Sequence, residues 1–167
     1  MDTLQLERLL NDHLKTSFYG VCAKNQLPDS PLRPLAIIVN EDIAQLPGSH
    51  WCAFYLFQDG RAEYFDSYGR APDKTVTTYL RKQAPNGWEY NSKQVQSFWS
   101  TLCGGFCLQY LEARHRSQNI PMSWILRRLF PYENPFKNDL LVQHQLASHY
   151  NIEIPLYDYQ KFPIVGL

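Results

Sequence analysis

Cys103 precedes Gly104-Gly105 and the run Phe106-Cys107-Leu108-Gln109-Tyr110-Leu111. In that run Phe106, Cys107, Tyr110 and Leu111 make one buried face of a helix opening near Cys103. A helix N-terminus carries about half a positive charge and unpaired N–H groups, both of which favour thiolate over thiol. A nucleophilic thiolate also needs a base for its proton, and the base needs a carboxylate to fix its tautomer and favour its charged form. His50 and Asp66 are of the right types for these two roles. The oxyanion of acyl transfer needs donors fixed in advance. The Cys103 backbone N–H and the side-chain amide of Gln96, seven residues earlier, can supply them. Gly104 and Gly105 are poor helix formers in a first turn, and are expected to let substrate backbone come close.

The elements around these residues must bring them together. Ser49 to Phe57 and Ala62 to Asp66 are aromatic-rich runs separated by Asp59-Gly60, a strong hairpin signal. Folding at that turn carries His50, near the start of the first strand, and Asp66, at the end of the second, to the same end of the ladder. Leu35-Ala36-Ile37-Ile38-Val39 reads as a buried strand, and Trp88-Glu89-Tyr90 as a further strand leading to Gln94-Val95-Gln96. Helices are expected from Thr3 to about Lys15, with Asp2 and Gln5 as a capping box, and from Asp73 to Gln83. Two more are expected, from Pro121 to Leu129 and from about Pro135 to Tyr150, the last with Leu140, Leu141 and Ala147 facing inward. Thr16 to Pro34, with Gly20, Pro28, Pro31 and Pro34, reads as a long irregular connection.

Taken singly, each candidate has a plainer reading. Cys22, Cys52 and Cys107 are read as core thiols, since cysteine is among the most buried residue types. His50 alone can be a strand-edge histidine, Asp66 a turn former before Ser67 and Gly69, and Gln96 a solvated loop amide. A zinc site from His50, Cys52, Cys103 and Cys107 is a further alternative, although Cys103-x-x-x-Cys107 is a loose ligand spacing. The joint order separates the readings: His-Trp at a strand start, an acid closing the next strand, then Gln ahead of Cys-Gly at a helix start.

Composition bounds the rest. The 167 residues are 44% hydrophobic and 19% charged, with 16 Lys+Arg against 16 Asp+Glu. That profile fits one globular domain over 1–167, burying roughly 70% of its unfolded surface. A neutral balance argues against a domain that lives on phosphate backbone. No run approaches the ~18 apolar residues of a membrane span, so a soluble protein is expected. Met1-Asp2-Thr3-Leu4-Gln5 lacks the cations and apolar core of a secretory signal, so export is not expected. Without a signal, the four cysteines read as reduced thiols rather than a disulfide framework. The tail from Tyr157 to Leu167, with Tyr157, Tyr159, Phe162 and Val165, is expected to pack back on the domain.

Leu35-Ala36-Ile37-Ile38-Val39-Asn40, His50-Trp51, Tyr64-Phe65-Asp66-Ser67-Tyr68-Gly69, and Val95-Gln96 followed by Cys103-Gly104-Gly105-Phe106-Cys107 together resemble the adenain-type cysteine proteases of adenoviruses, related DNA viruses and Polinton-like mobile elements. The wider clan includes SUMO-deconjugating cysteine proteases. The resemblance implies an α+β papain-like fold, a mixed sheet packed against helices with the cysteine helix buried centrally. It implies His50 as general base, Asp66 as orienting acid, Cys103 as nucleophile and Gln96 as oxyanion donor. It also implies that Trp51 roofs a narrow groove through which substrate glycines pass. Adenain-type enzymes often carry Glu at the acid position, so Asp66 leans toward the deconjugase pattern.

The implied activity is cleavage of viral structural precursors at Gly-containing sites during virion maturation. It would take place in the host nucleus or cytoplasm and in the virion, by a monomer that needs no membrane. Deconjugation of SUMO or another ubiquitin-like protein, and an inactive peptide-binding member of the fold, are the alternatives. Adenovirus enzymes are activated by a peptide attached through a cysteine and by DNA. Here Gln83 to Gln96 holds no cysteine and the chain is neutral, so the sequence requires neither cofactor.

Overall fold

The computed structural model describes residues 1–29, 32–46 and 48–156. The tail expected to pack back on the domain lies outside the described residues. A five-stranded mixed sheet runs in the order β1 (Phe18–Ala23), β2 (Leu35–Asn40), β3 (Trp51–Leu56), β4 (Ala62–Phe65) and β5 (Trp88–Tyr90). Pairs β1–β2 and β4–β5 are parallel, and β2–β3–β4 is an antiparallel meander.

Alternation along β2 and β3 explains the layers, because each strand is buried on both faces. One set, Leu35, Ile37, Val39, Cys52, Phe54 and Leu56, meets Val76 and Leu80 of α2 (Lys74–Gln83). The opposite set, including Ala36, Ile38, Ala53 and Tyr55, packs with α1 (Thr3–Leu14), α3 (Cys103–Arg116), α4 (Met122–Leu129) and α5 (Pro135–Tyr150). The expected α+β architecture is therefore the one observed. Helix α1 opens with the expected capping box, in which Gln5 N donates to Asp2 Oδ1 and Asp2 N donates to Gln5 Oε1. Such a cap is worth about 1 kcal/mol.

Three expectations need correcting. Thr16 to Pro34 is not wholly irregular, since Phe18–Ala23 forms the parallel edge strand β1. Its register shifts between Phe18 and Gly20 and most of it is only half-buried, so no clean alternation marked it. Helix α3 has no single buried face, because every residue from Gly104 to Glu112 is buried, as is Arg114. Helix α5 is rotated from the expected phase. Leu140 and Ala147 are exposed and Leu141 half-buried, whereas Asn138, Asp139, Val142 and Leu146 face inward. Two polar residues hold that inward position because loop backbone ahead of α3 supplies hydrogen bonds to them.

Candidate active site

The hairpin register places the acid and the base. With Ala53 opposite Phe65, Asp66 leaves β4 beside the start of β3, and His50 lies just before Trp51. His50 Nε2 stands 2.7 Å from Asp66 Oδ1, and both residues are buried. Asp66 is held from three further directions. Tyr68 N donates to its Oδ1 at 2.9 Å, Arg70 Nε donates to its Oδ2 at 2.9 Å, and its backbone exchanges two hydrogen bonds with the Asn91 amide. Tyr68 also stacks on His50, with centroids 4.5 Å apart and planes 20° apart. The Asp66–Arg70 turn can close tightly because Gly69 has φ +70. A Cβ there would come within 2.6 Å of the Lys93 backbone.

Cys103 is the first residue of α3 and hydrogen-bonds to His50. Because Nε2 is engaged by Asp66, Nδ1 is the ring nitrogen left to exchange a proton with the thiol. Burial opposes ionisation of Cys103, but the hydrogen bond and charge of His50, with the Trp51 backbone N–H, prevail and lower its pKa. Burial likewise opposes charge on His50, yet Asp66 and Cys103 raise its pKa to about 9. Asp66 stays below the usual carboxylate range: desolvation is outweighed by His50, Tyr68 N–H and Arg70. The arrangement favours a thiolate–imidazolium pair backed by a carboxylate, which is what nucleophilic attack on a carbonyl requires.

Gln96 is fully buried behind the loop that leads into α3. Its Oε1 accepts from Ser67 Oγ at 2.5 Å and its Nε2 donates to Ser100 O at 2.9 Å. An amide nitrogen carries two protons, so these bonds orient the group and leave one proton to donate. Cys103, His50 and Trp51 open onto a cleft of about 450 Å³, also lined by Tyr68, Phe98 and Trp99. Trp51 lines this cleft and packs partly against the core.

Gly104 and Gly105 do not lie where substrate was expected to pass, because neither lines the cleft. A Cβ on Gly104 would meet Met1 at 3.2 Å, and one on Gly105 would meet Leu146 at 2.7 Å. Close packing of α1 and α5 on α3 therefore accounts for both glycines. The four-residue zinc set does not assemble either. Among the described residues, the group able to share a metal is His50, Cys52 and Asp66, with ligand atoms within 4.8 Å of one another. Two of these are already bonded to each other, and burial holds the Cys52 thiol well above its ordinary pKa. Cys107 donates instead to Trp51 O at 3.3 Å. All four cysteines are free thiols.

Sequence reasoning missed the supporting residues Ser67, Tyr68, Arg70, Asn91 and Ser100. Ser67, Tyr68 and Arg70 follow Asp66 directly, and a polar run after a candidate acid was the available signal. Asn91 and Ser100 reach the site through tertiary packing alone.

The sheet and its central Cys103-bearing helix form a papain-like cysteine protease fold, shared with solved structures. The ASFV pS273R protease superposes with a TM-score of 0.57 at 19% identity, over 82% of this chain and 65% of that one. Its selenomethionine form gives 0.54 at 19% identity, over 75% and 61%. ChlaDub1 from Chlamydia trachomatis overlaps more loosely, with a TM-score of 0.42 at 16% identity over 73% and 64% of the two chains. The chain thus spans less than two thirds of the length of the structures it matches. No protein-family model matches it, and no curated protein matches it in sequence.

Proposed function

We propose that this chain is a cysteine endopeptidase that cleaves structural precursor proteins of a DNA virus or Polinton-like element at glycine-containing sites, supporting virion maturation. The observation that carries the reading is the meeting of Cys103, at the start of α3, and His50 on one cleft, with Asp66 Oδ1 2.7 Å behind the imidazole; the lowered Cys103 pKa and raised His50 pKa agree with it. The adenain-type order of His-Trp, Asp, Gln and Cys-Gly supports it, as does a fold shared with the ASFV protease. The enzyme acts as a monomer in the host nucleus or cytoplasm and in the virion, and no step here requires a metal, DNA or an activating peptide.

Cys103 Sγ adds to the scissile carbonyl carbon, and the oxyanion takes hydrogen bonds from the Cys103 N–H and the remaining Gln96 amide proton. The C–N bond then breaks as the imidazolium of His50 gives its proton to the departing amine, leaving a thioester. Water, losing a proton to His50, attacks the thioester and frees the acid and the Cys103 thiolate. The Cys103→Ala variant is expected to lose cleavage of precursor peptides bearing Gly beside the scissile bond. Undiminished cleavage by that variant would sink the mechanism. Carboxy-terminal electrophilic probes of SUMO and ubiquitin test specificity: rapid labelling of Cys103 by either would replace the precursor-protease reading with the deconjugase one.

A further inference from the structure

Asp139 lies in the second turn of α5, fully buried, and is not part of the cleft wall. A buried carboxylate is costly unless hydrogen bonds compensate it. Its partners all come from one loop, the segment between Gln96 and Cys103. Ser97 N lies 3.3 Å from each carboxylate oxygen, Ser97 Oγ donates to Oδ2, and the Ser100 side chain bonds it as well. Burial pushes its pKa up to about 6, while the bonds from Ser97 and Ser100 oppose the rise. The neighbouring Asn138 grips the same loop one step earlier, donating to Val95 O at 3.1 Å.

Both ends of this clamp lead to the expected oxyanion donors. Ser97 follows Gln96 directly. Ser100 O accepts from Gln96 Nε2, and Ser100 Oγ accepts from the backbone N–H of Leu102, the residue before Cys103. One carboxylate therefore joins the turn that aims the Gln96 amide to the turn that aims the Cys103 N–H. The His50–Asp66 contact depends instead on the β3–β4 hairpin.

We infer that Asp139, acting through Ser97 and Ser100, is the positioning residue that sets the spacing of the two oxyanion donors. This rests on the peptidase reading above. Oxyanion contacts strengthen only in the transition state, so their misplacement lowers kcat and spares substrate binding. Formation of the thiolate does not involve them.

The test uses the whole chain, a coumarin-amide peptide ending in Gly-Gly, and iodoacetamide. Ser97→Ala takes one donor from the buried carboxylate but leaves it the Ser97 backbone N–H; it is expected to lower kcat about tenfold, with KM and Cys103 alkylation unchanged. Asp139→Asn is expected to lose more, toward the ~10²-fold seen when an oxyanion donor is removed. Ser97→Thr, which keeps the hydroxyl, should recover most of the rate. Wild-type kcat in both Ser97→Ala and Asp139→Asn overturns the assignment. So does a parallel fall of kcat, alkylation rate and melting temperature, which would mark a purely structural role. A wild-type chain with no cleavage and an ordinary, slow Cys103 overturns the peptidase reading and this assignment with it, whereas an active wild type with unaffected variants overturns the assignment alone.

Discussion

Strand β4 and the residue that follows it carry two buried carboxylates three positions apart, Glu63 and Asp66, and they have opposite fates. Glu63 is 3% exposed and Asp66 0%. Glu63 faces α3, where Arg114 NH2 donates at 2.8 Å and Tyr110 OH donates to its other oxygen. Arg114 Nε also stands 2.7 Å from Glu63 Oε2, but off the line of a hydrogen bond. Arg114 is itself fully buried, and its NH1 donates to the backbone of Ser117 and Ile120. Desolvation still dominates and pushes Glu63 up to about 7. At Asp66 the same penalty is overcome, and the carboxyl stays below its usual range. The difference lies in the donors. Asp66 sits at a strand end, where turn N–H groups, Arg70 and a titrating imidazole converge, and that imidazole passes the charge on to a thiol facing a cleft. The Glu63 cluster is closed instead by the Arg114 guanidinium and the Tyr110 hydroxyl, away from the cleft. Similar burial thus yields a fastener in one place and a reactive centre in the other.

If that contrast is right, the largest change in folding comes from the closed cluster. Arg114→Ala strands Glu63 in the core, and removing one partner of a buried pair costs about 3–5 kcal/mol, or roughly 150- to 5,000-fold in the folding equilibrium. Denaturant unfolding measures it. Replacing both partners, Glu63→Leu with Arg114→Met, should restore most of the stability, since a well-packed apolar pair often matches a buried ionic one. A loss below about 1 kcal/mol in Arg114→Ala would mean that Glu63 is not an anion held by Arg114 and would end the comparison.

The reactive cluster should respond in the other observable. Asp66→Asn keeps an acceptor near His50 and the backbone bonds to Asn91, so the fold should hold far better than in Arg114→Ala. Without the charge, desolvation of His50 prevails, its pKa falls, and the pair relaxes to neutral thiol and imidazole. Peptide cleavage is expected to drop about 10²-fold or more. Iodoacetamide should then alkylate Cys103 at the rate of an ordinary thiol at pH 7. An unchanged alkylation rate would show that Asp66 does not sustain the pair.

These two clusters were unequally legible. The hairpin, its Asp59-Gly60 turn and the residues flanking it state their own register, because alternation and turn chemistry are local; His50 and Asp66 could be assigned to one place for that reason, and Cys103 joined them through its helix start, the chain order and the family resemblance. Glu63 and Arg114 gave no such signal. A charged residue inside an aromatic strand and an arginine in the last turn of a helix acquire meaning only when α3 packs on β4. The same limit explains the rotated phase of α5, where loop hydrogen bonds draw Asn138 and Asp139 inward against their polarity. It also explains the helix glycines, whose cause is the approach of Leu6 and Leu146 rather than a substrate.

The smallest effect probes how finely the reactive cluster is tuned. The Tyr68 ring lies over His50 at 4.5 Å, and a π-face stabilises a cation by about 0.5–1 kcal/mol at a partly exposed site. Nothing comparable is available to a neutral imidazole, so the stacked Tyr68 ring is expected to favour the charged form of His50. Since one pH unit corresponds to about 1.4 kcal/mol, Tyr68→Leu should lower the His50 pKa by roughly half a unit. The sign is fixed by the chemistry: cleavage of an amide needs the imidazolium proton for the leaving nitrogen, so activity is lost as pH rises through the His50 pKa. The alkaline limb of kcat/KM should therefore move to lower pH in Tyr68→Leu while the rate at pH 7 changes little. An alkaline limb that stays in place would assign the stacking to packing alone, and leave Asp66 and Cys103 as the groups that keep His50 charged.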